Sequence, residues 1–375
     1  MRRTAATLAI VSVLLAGCGT GTAGSGPVAT EGAWTRVDAP PLSARTWPLV
    51  AWTGAEVLVV GGNEGFVCPP NAECPAPDPD DLASDGAAYD PDTGEWRTIA
   101  DAPRGLYDAG GASHAFVAGR LVFYDWSHEA WIVYDPAADE WSTPSSPGPA
   151  FVSSLSSDGE RLWALDGDRV LSWDPATGEV IVERDYRPAN PMDDARVIPT
   201  DAGPVVVGVD YDVAPDEPAL TVVDVPVEGG WQRSTTGQLS GFSHWNGEQL
   251  VLHDSTGADG GEVNGWGRWY PNGGTFDPAT QQWAALDVAR DLSAADDAWR
   301  LSAHDGPLDV VGGWFVDDRD GDWTEIGRPD SRLDSELAGT WADGRLFVFG
   351  GVDADAGHEA PAGPEAWFWA PPGFR

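Results

Sequence analysis

GAEVLVVGG (54–62), GPLDVVGG (306–313) and GRLFVFGG (344–351) are copies of one pattern: a glycine, a short apolar run, and a Gly-Gly close. Four further copies stand at 119–125 (GRLVFYD), 159–166 (GERLWALD), 203–210 (GPVVVGVD) and 247–254 (GEQLVLHD). An apolar run this short, opened by a turn glycine, reads as a strand leaving a hairpin. Seven copies along one chain mark a repeat architecture.

A second pattern follows the first in register. It reads AAYDPDTGEW (87–96), WIVYDPAADEW (131–141), VLSWDPATGEV (170–180), TVVDVPVEGGW (221–231) and GTFDPATQQW (274–283). In the sixth unit it is compressed to WFVDDRDGDW (314–323), and in the seventh it is AWFWAPPG (366–373). The Asp-Pro-x-Thr-Gly turn has mechanical sense. Asp caps its own backbone, Pro fixes φ, and Gly accepts a positive φ. A fourth strand is expected to open at Trp96, Trp141, Val180, Trp231, Trp283 and Trp323. The seventh unit has none, while AWTRV (33–37) is a spare fourth strand at the other end of the chain. The expected fold is all-β: a seven-bladed β-propeller whose last blade is closed by the strand at 33–37. Six blades is the alternative, because the sixth unit is short. Closure leaves only short edges open to pairing. The fourth-strand tryptophans, Trp34 included, are expected to pack between blades as core.

These motifs resemble the Kelch-type propeller family, which includes the propeller of galactose oxidase. The likeness rests on Gly61-Gly62, Gly312-Gly313 and Gly350-Gly351, on Tyr89-Asp90-Pro91 and Tyr134-Asp135-Pro136, and on the Trp that follows. It spans residues 33–373; the third and fourth units lack Gly-Gly, and the third has Val180 for Trp.

The N-terminus reads MRRTAATLAIVSVLLAGCGT. Arg2 and Arg3 precede an apolar run (Thr4–Leu15) too short to span a bilayer well, and Leu15-Ala16-Gly17-Cys18 looks like a bacterial lipobox. Residues 1–17 are therefore expected to be a lipoprotein signal peptide, and 18–32 a lipidated Cys18 with a flexible Gly/Ser/Thr tether. Residues 33–375 would form a single propeller, anchored to a bacterial cell membrane by lipid and facing outside the cytoplasm. Cys68 and Cys74 enclose PPNAE, and that compartment permits a disulfide between them. A metal pair is the other reading, but no His or further Cys stands near.

The net charge is −39, there is no lysine, and all 21 basic residues are Arg. Removing 1–17 takes away Arg2 and Arg3 and deepens the net to −41. A high-GC genome with solvated turns explains this, and a salt-rich habitat is the second explanation. Either way nucleic acid and bare anionic membrane are excluded as partners, while cationic partners or divalent ions are favoured.

Three second-to-third-strand loops are long: 63–86, 255–273 and 352–365. Loops longer than about 12–15 residues in a compact domain are usually functional or disordered. Within 255–273, Trp266, Arg268, Trp269 and Tyr270 sit among glycines, outside any strand pattern. Aromatics with an Arg suit a sugar ring or a protein partner, and packing back onto the blade is the bland alternative. His114, His244 and His304 fall on innermost strands near the channel, at differing offsets, so they need not point the same way and read as structural. Asp318–Asp322 begins like a calcium loop but has Trp323 where the glycine belongs, so an acidic hairpin turn is the better reading.

No nucleophile elbow, HExxH or P-loop is present. The copper-radical chemistry of galactose oxidase needs a Cys crosslinked to Tyr, and lipidation plus a disulfide would use all three Cys. The expected function is a binding module for a glycan or an extracytoplasmic protein, with no catalysis, cofactor or metal. The alternative is a carbohydrate-active enzyme of epimerase, lyase or hydrolase type, with His114, His244, Arg300 and His304 at the channel mouth.

Overall fold

The computed structural model describes residues 32–68, 75–108, 113–144, 151, 155–188, 190, 192–210, 220–236, 243–252, 256–257, 268–269, 273–286, 301–311, 313–319, 321, 323–329, 336–352, 361 and 363–373. Its strands form seven antiparallel four-stranded sheets and one two-stranded hairpin: a seven-bladed β-propeller. The chain starts with β1 (Trp34–Arg36). Blade 1 is β2 (Leu49–Trp52), β3 (Val57–Val60), β4 (Gly86–Asp90) and β5 (Glu95–Thr98); blade 2 is β6 (His114–Val117), β7 (Arg120–Asp125), β8 (Ala130–Asp135) and β9 (Glu140–Ser142). Blade 3 is β10 (Ser156–Ser157), β11 (Leu162–Asp166), β12 (Arg169–Asp174) and β13 (Glu179–Asp185); blade 4 is β14 (Asp193–Ile198), β15 (Val205–Asp210), β16 (Leu220–Val227) and β17 (Gly230–Thr236). Blade 5 is β18 (Ser243–Trp245), β19 (Leu250–Leu252), β22 (Gly273–Asp277) and β23 (Gln282–Leu286), with the hairpin β20 (Thr256–Gly257) and β21 (Arg268–Trp269) inserted in it. Blade 6 is β24 (Ser302–Asp305), β25 (Leu308–Val311), β26 (Trp314–Asp317) and β27 (Trp323–Glu325). Blade 7 is β28 (Leu337–Ala342), β29 (Arg345–Gly350), β30 (Ala366–Trp369) and β1. The compressed sixth unit is thus a full blade, and β1 closes the ring by pairing Trp34 with Trp369 and Arg36 with Trp367.

The turn glycines are needed for conformation rather than for space. Gly54, Gly119, Gly159, Gly203, Gly247, Gly306 and Gly344 all adopt positive φ, from 55° to 102°. At Gly54, Gly119, Gly159 and Gly247 an added Cβ would meet nothing within 4 Å. Only glycine adopts that backbone without a steric penalty. The aspartates of the second turn cap as their spacing implies. Oδ1 of Asp90, Asp135, Asp174 and Asp277 each accepts backbone N–H bonds from residues two and three positions on.

The core lies between blades rather than at one centre. Val57 and Val59 of β3 pack with Phe347, Phe349 and Phe368 of blade 7, whereas Leu58 and Val60 pack with Leu121 and Phe123 of blade 2. Side chains alternate along a strand, so a middle strand with a neighbour on each face is apolar at every position. This is why the second-strand copies read as unbroken runs instead of alternating ones.

Trp34, Trp96, Trp141, Trp231 and Trp283 pack between blades as expected, but at the margin of the core rather than inside it. Trp34, Trp96, Trp141, Trp231, Trp283 and Trp323 are half-buried. Five of them clasp the preceding blade through the indole N–H. Trp34 donates to the Gly327 carbonyl (2.6 Å), Trp96 to Asp38 (2.9 Å), Trp141 to Ala100 (2.8 Å) and Trp231 to Asp185 (2.8 Å); Trp283 donates to Ser234 Oγ (2.8 Å). The ring body meets its own blade, as in Tyr89–Trp96 (centroids 5.0 Å) and Tyr134–Trp141 (4.8 Å), and Trp96 also meets Phe347 of blade 7 at 6.4 Å. An outer strand has only one neighbouring strand, so its Trp stays half-wet while its polar tip finds a backbone acceptor.

Candidate functional site

Antiparallel alternation puts the second-to-third loops and the blade-to-blade links at one end of the ring, here the loop end. The first-to-second and third-to-fourth turns lie at the other, the turn end. The three long loops therefore share the loop end.

At that end the first long loop is built around Arg45. Its guanidinium is fully buried and donates to the carbonyl of Gly61 (3.1 Å), to Asp85 Oδ1 (2.7 Å), to Ser43 Oγ (2.6 Å) and to Glu64 Oε1 (3.0 Å). Thr46 bridges to Asn63, and Asn63 to Leu82, so both arms of the loop are tied to the link that enters blade 1. Gly62 lies tight against that link, where an added Cβ would stand 3.0 Å from the Thr46 carbonyl. Trp47 follows at φ 48°, its ring edge-on to Tyr107 at 5.2 Å. Burial, then the charges of Glu336 and Asp108, push the Tyr107 hydroxyl up to about 12. Glu336 (φ 63°) and Leu155 (φ 35°) share the left-handed backbone just before an innermost strand. Strain of this kind collects at functional sites.

Trp126 (63% exposed) and Phe66 (55% exposed) are the most exposed large hydrophobic side chains among the described residues. Both stand in second-to-third loops, of the adjacent blades 2 and 1. Trp126 is held in place: it donates to Ser113 Oγ (3.1 Å) and sits edge-on to Tyr124 at 5.0 Å. No sequence motif marks this pair. The available signal was that Trp126 occupies no repeat position.

The three histidines separate into two sites. His114, at the start of β6, donates Nδ1–H to Asp108 (2.5 Å) and Nε2–H to the Val50 carbonyl (3.0 Å). Two acceptors on one ring call for the doubly protonated imidazolium. Burial opposes that charge, but the Asp108 hydrogen bond and carboxylate outweigh it and hold the His114 pKa above its ordinary value. Asp108 is in turn lowered: burial works against it, while His114 and the Ser113 N–H bonds prevail.

His244 and His304, whose differing offsets left their directions open, stack. Their rings lie 5.2 Å apart and 25° from parallel, across blades 5 and 6. His244 lies 3.3 Å from Asp318 through Nε2 and 3.7 Å from Asp309 through Nδ1. His304 is exposed on an innermost strand, yet surrounding protein atoms, the His244 charge and Arg196 of β14 lower its pKa against the pull of Asp309. A side chain both wet and closely surrounded fits the channel wall. The group stands toward the turn end, opposite the long loops. Asp318 does belong to a hairpin turn, which Asp317 caps through the Arg319 N–H (3.0 Å). It occupies the position held by Pro91, Pro136, Pro175 and Pro278 in the other blades, and its side chain is buried against His244. That replacement was the legible signal for a residue the sequence reading set aside. No group of three or more His, Cys, Asp or Glu able to hold a metal ion occurs among the described residues.

In the 255–273 loop, Arg268 and Trp269 pair with Gly257 and Thr256, so this stretch is a short hairpin rather than strand-free. Trp266, Tyr270 and Arg300 lie outside the described residues, as do Cys18 and Cys74; Cys68 lies within them. The fold and these sites define a class, a seven-bladed β-propeller with an aromatic loop end and histidines on its channel wall. No family model matches the chain, and no curated protein matches it.

Proposed function

We propose that the chain is a lipid-anchored, extracytoplasmic, Kelch-like propeller that recognises a glycan or another extracytoplasmic protein through its loop end. The observation that carries this reading is the exposed pair Phe66 and Trp126 on neighbouring loops, beside a loop clamped by the fully buried Arg45. Rigid aromatic anchors on a pre-ordered loop lose little entropy on binding, which favours recognition. The acidic composition favours a partner face that is neutral or basic. Cys18 as the lipidated residue, and a Cys68–Cys74 disulfide stiffening the first long loop, belong to the same proposal.

The test is binding of the purified protein to a glycan array and to a panel of basic and acidic extracytoplasmic proteins, wild type against Phe66→Ala/Trp126→Ala. The double variant is expected to lose the signal while its unfolding midpoint stays put. Retention of the full signal would sink the loop-end reading. For the anchor, Cys18→Ser is expected to move the protein from the membrane fraction to the soluble fraction. No redistribution would count against lipidation.

The channel group supports a second reading, a carbohydrate-active enzyme. A neutral His304 open to water, with His244 beside it between Asp309 and Asp318, is the acid–base grouping such chemistry uses. Turnover of a saccharide that is abolished by His304→Gln, with binding retained, would establish it. Absence of turnover across polysaccharide substrates would dismiss it.

A further inference from the structure

Between blades 3 and 4 a cavity of about 520 Å³ opens where β13 leaves blade 3 and β17 starts in blade 4. Pockets for small ligands run from roughly 300 to 1,000 Å³. Its lining includes Asp185, Arg187, Asn190, Trp231 and Arg233, with Asp224 as its buried floor. Asp224 accepts two hydrogen bonds from Arg233 (Nε 2.9 Å, Nη2 2.8 Å) and one from the Tyr186 hydroxyl (2.8 Å). This fixes the Arg233 guanidinium through one edge and leaves Nη1 outside the pair. A guanidinium already held by a carboxylate gives up little freedom when it binds a second oxygen.

Arg187 is held differently. Its side chain is 71% exposed and faces Asp168 at 3.3 Å and Asp185 at 3.8 Å. Exposed pairs like these are worth little, so a ligand displaces them at small cost. Asn190, also exposed, adds an amide. Trp231 supplies the apolar wall and cannot turn away. Its N–H is engaged by the Asp185 carbonyl, Arg184 lies over its ring at 5.2 Å, and Tyr186 meets it edge-on at 5.1 Å.

Two guanidiniums, an amide, two carboxylates and an indole edge recognise a ring carrying many oxygens. The donors outnumber the acceptors, and guanidinium N–H pairs suit a carboxylate geometrically. Two Arg and two Asp also make this lining neutral, on a chain whose net charge is −39. It is a place where an anionic group meets less repulsion than the composition would suggest. We propose that the groove between blades 3 and 4 is a saccharide site that prefers a sugar bearing a carboxylate, a uronate residue. It is separate from the Phe66 and Trp126 pair, which stands on blades 1 and 2, and does not depend on the reading proposed for that pair.

The experiment is calorimetric titration of the purified full-length protein with a galacturonate trisaccharide and with the matching neutral galactose trisaccharide. The expected result is saturable binding of the acidic sugar, about tenfold or more tighter than the neutral one. That is the worth of about one charge-assisted hydrogen bond. Arg187→Ala and Asn190→Ala are each expected to weaken it by about fivefold or more with an unchanged unfolding midpoint, and Arg187→Lys to recover part of the loss. Arg233→Ala is avoided, because it would leave Asp224 buried without its partner. No saturable binding, equal binding of the two sugars, or full binding by both alanine variants would each overturn the proposal. So would loss of the signal in Phe66→Ala/Trp126→Ala with full retention in Arg187→Ala, since the sugar would then sit on the Phe66 and Trp126 pair.

Discussion

Trp34 donates its indole N–H to the carbonyl of Gly327, 293 residues further along the chain, at 2.6 Å. The same clasp joins Trp96 to Asp38, Trp141 to Ala100 and Trp231 to Asp185. At blade 7 it also seals the ring, because β1 is the only part of that blade from the N-terminal end of the chain. Trp34→Phe keeps an aromatic ring and removes the donor, and should cost about 1 kcal/mol in urea unfolding. Deleting 33–37 strips the outer strand from Trp367 and Trp369 and exposes an apolar edge, so that protein should aggregate or unfold at markedly lower urea. An unchanged midpoint after the deletion would refute closure by β1.

At Gly159 (φ 89°) and Gly247 (φ 100°) an added methyl has room but no comfortable backbone. Replacement by Ala should destabilise by about 1–2 kcal/mol at each site, through conformation alone. The two losses should add, since the turns belong to different blades. A neutral Gly159→Ala would mean that the turn relaxes to negative φ.

His114 and Asp108 form a buried pair whose contribution has limits on both sides of neutrality. The folded pKa of His114 is raised, so its contribution is complete below the unfolded value near 6.5 and is lost as pH rises through the folded one. The folded pKa of Asp108 is lowered, so its contribution is complete above the unfolded value near 3.8 and is lost as pH falls through the folded one. His114→Ala should therefore cost most between about pH 4 and 6.5, on the order of 3 kcal/mol, and progressively less outside that window. A penalty independent of pH would show that the pair is not ionic.

His304 carries the opposite sign. Its folded pKa is lowered, so the unfolded chain takes up a proton that the folded one resists. Stability should fall as pH drops below about 6.5, and His304→Gln should flatten that part of the profile. Urea midpoints of wild type and variant between pH 8 and 5 decide the matter. Parallel profiles would mean that His304 titrates normally in the channel.

Phe66→Ala alone, at an exposed site, should change stability by no more than about 0.5 kcal/mol, because little of its area is buried. Arg45→Met should cost about 2 kcal/mol, since the buried Gly61 carbonyl loses its side-chain donor and the half-exposed Asp85 and Glu64 lose the cation that ties their loop. Comparing the two by thermal unfolding separates a side chain kept for contact from one kept for architecture. Equal effects would erase that distinction.

Blade number, strand order and ring closure were legible in the linear chain because each rests on local chemistry. A turn glycine needs positive φ, an Asp caps the next two amides, and a strand buried on both faces is apolar throughout. Trp34 could be assigned to blade 7 by counting alone. The sites were legible only in part. Which tryptophans stay half-wet, that His244 meets His304, that Asp318 turns inward where other blades carry proline, and that Arg187 and Arg233 share a groove all depend on the twist and spacing of adjacent blades. These contacts join residues 41 positions apart in Trp141–Ala100, 74 apart in His244–Asp318 and 293 apart in Trp34–Gly327. Their geometry is set by packing across the ring, and no local propensity encodes it.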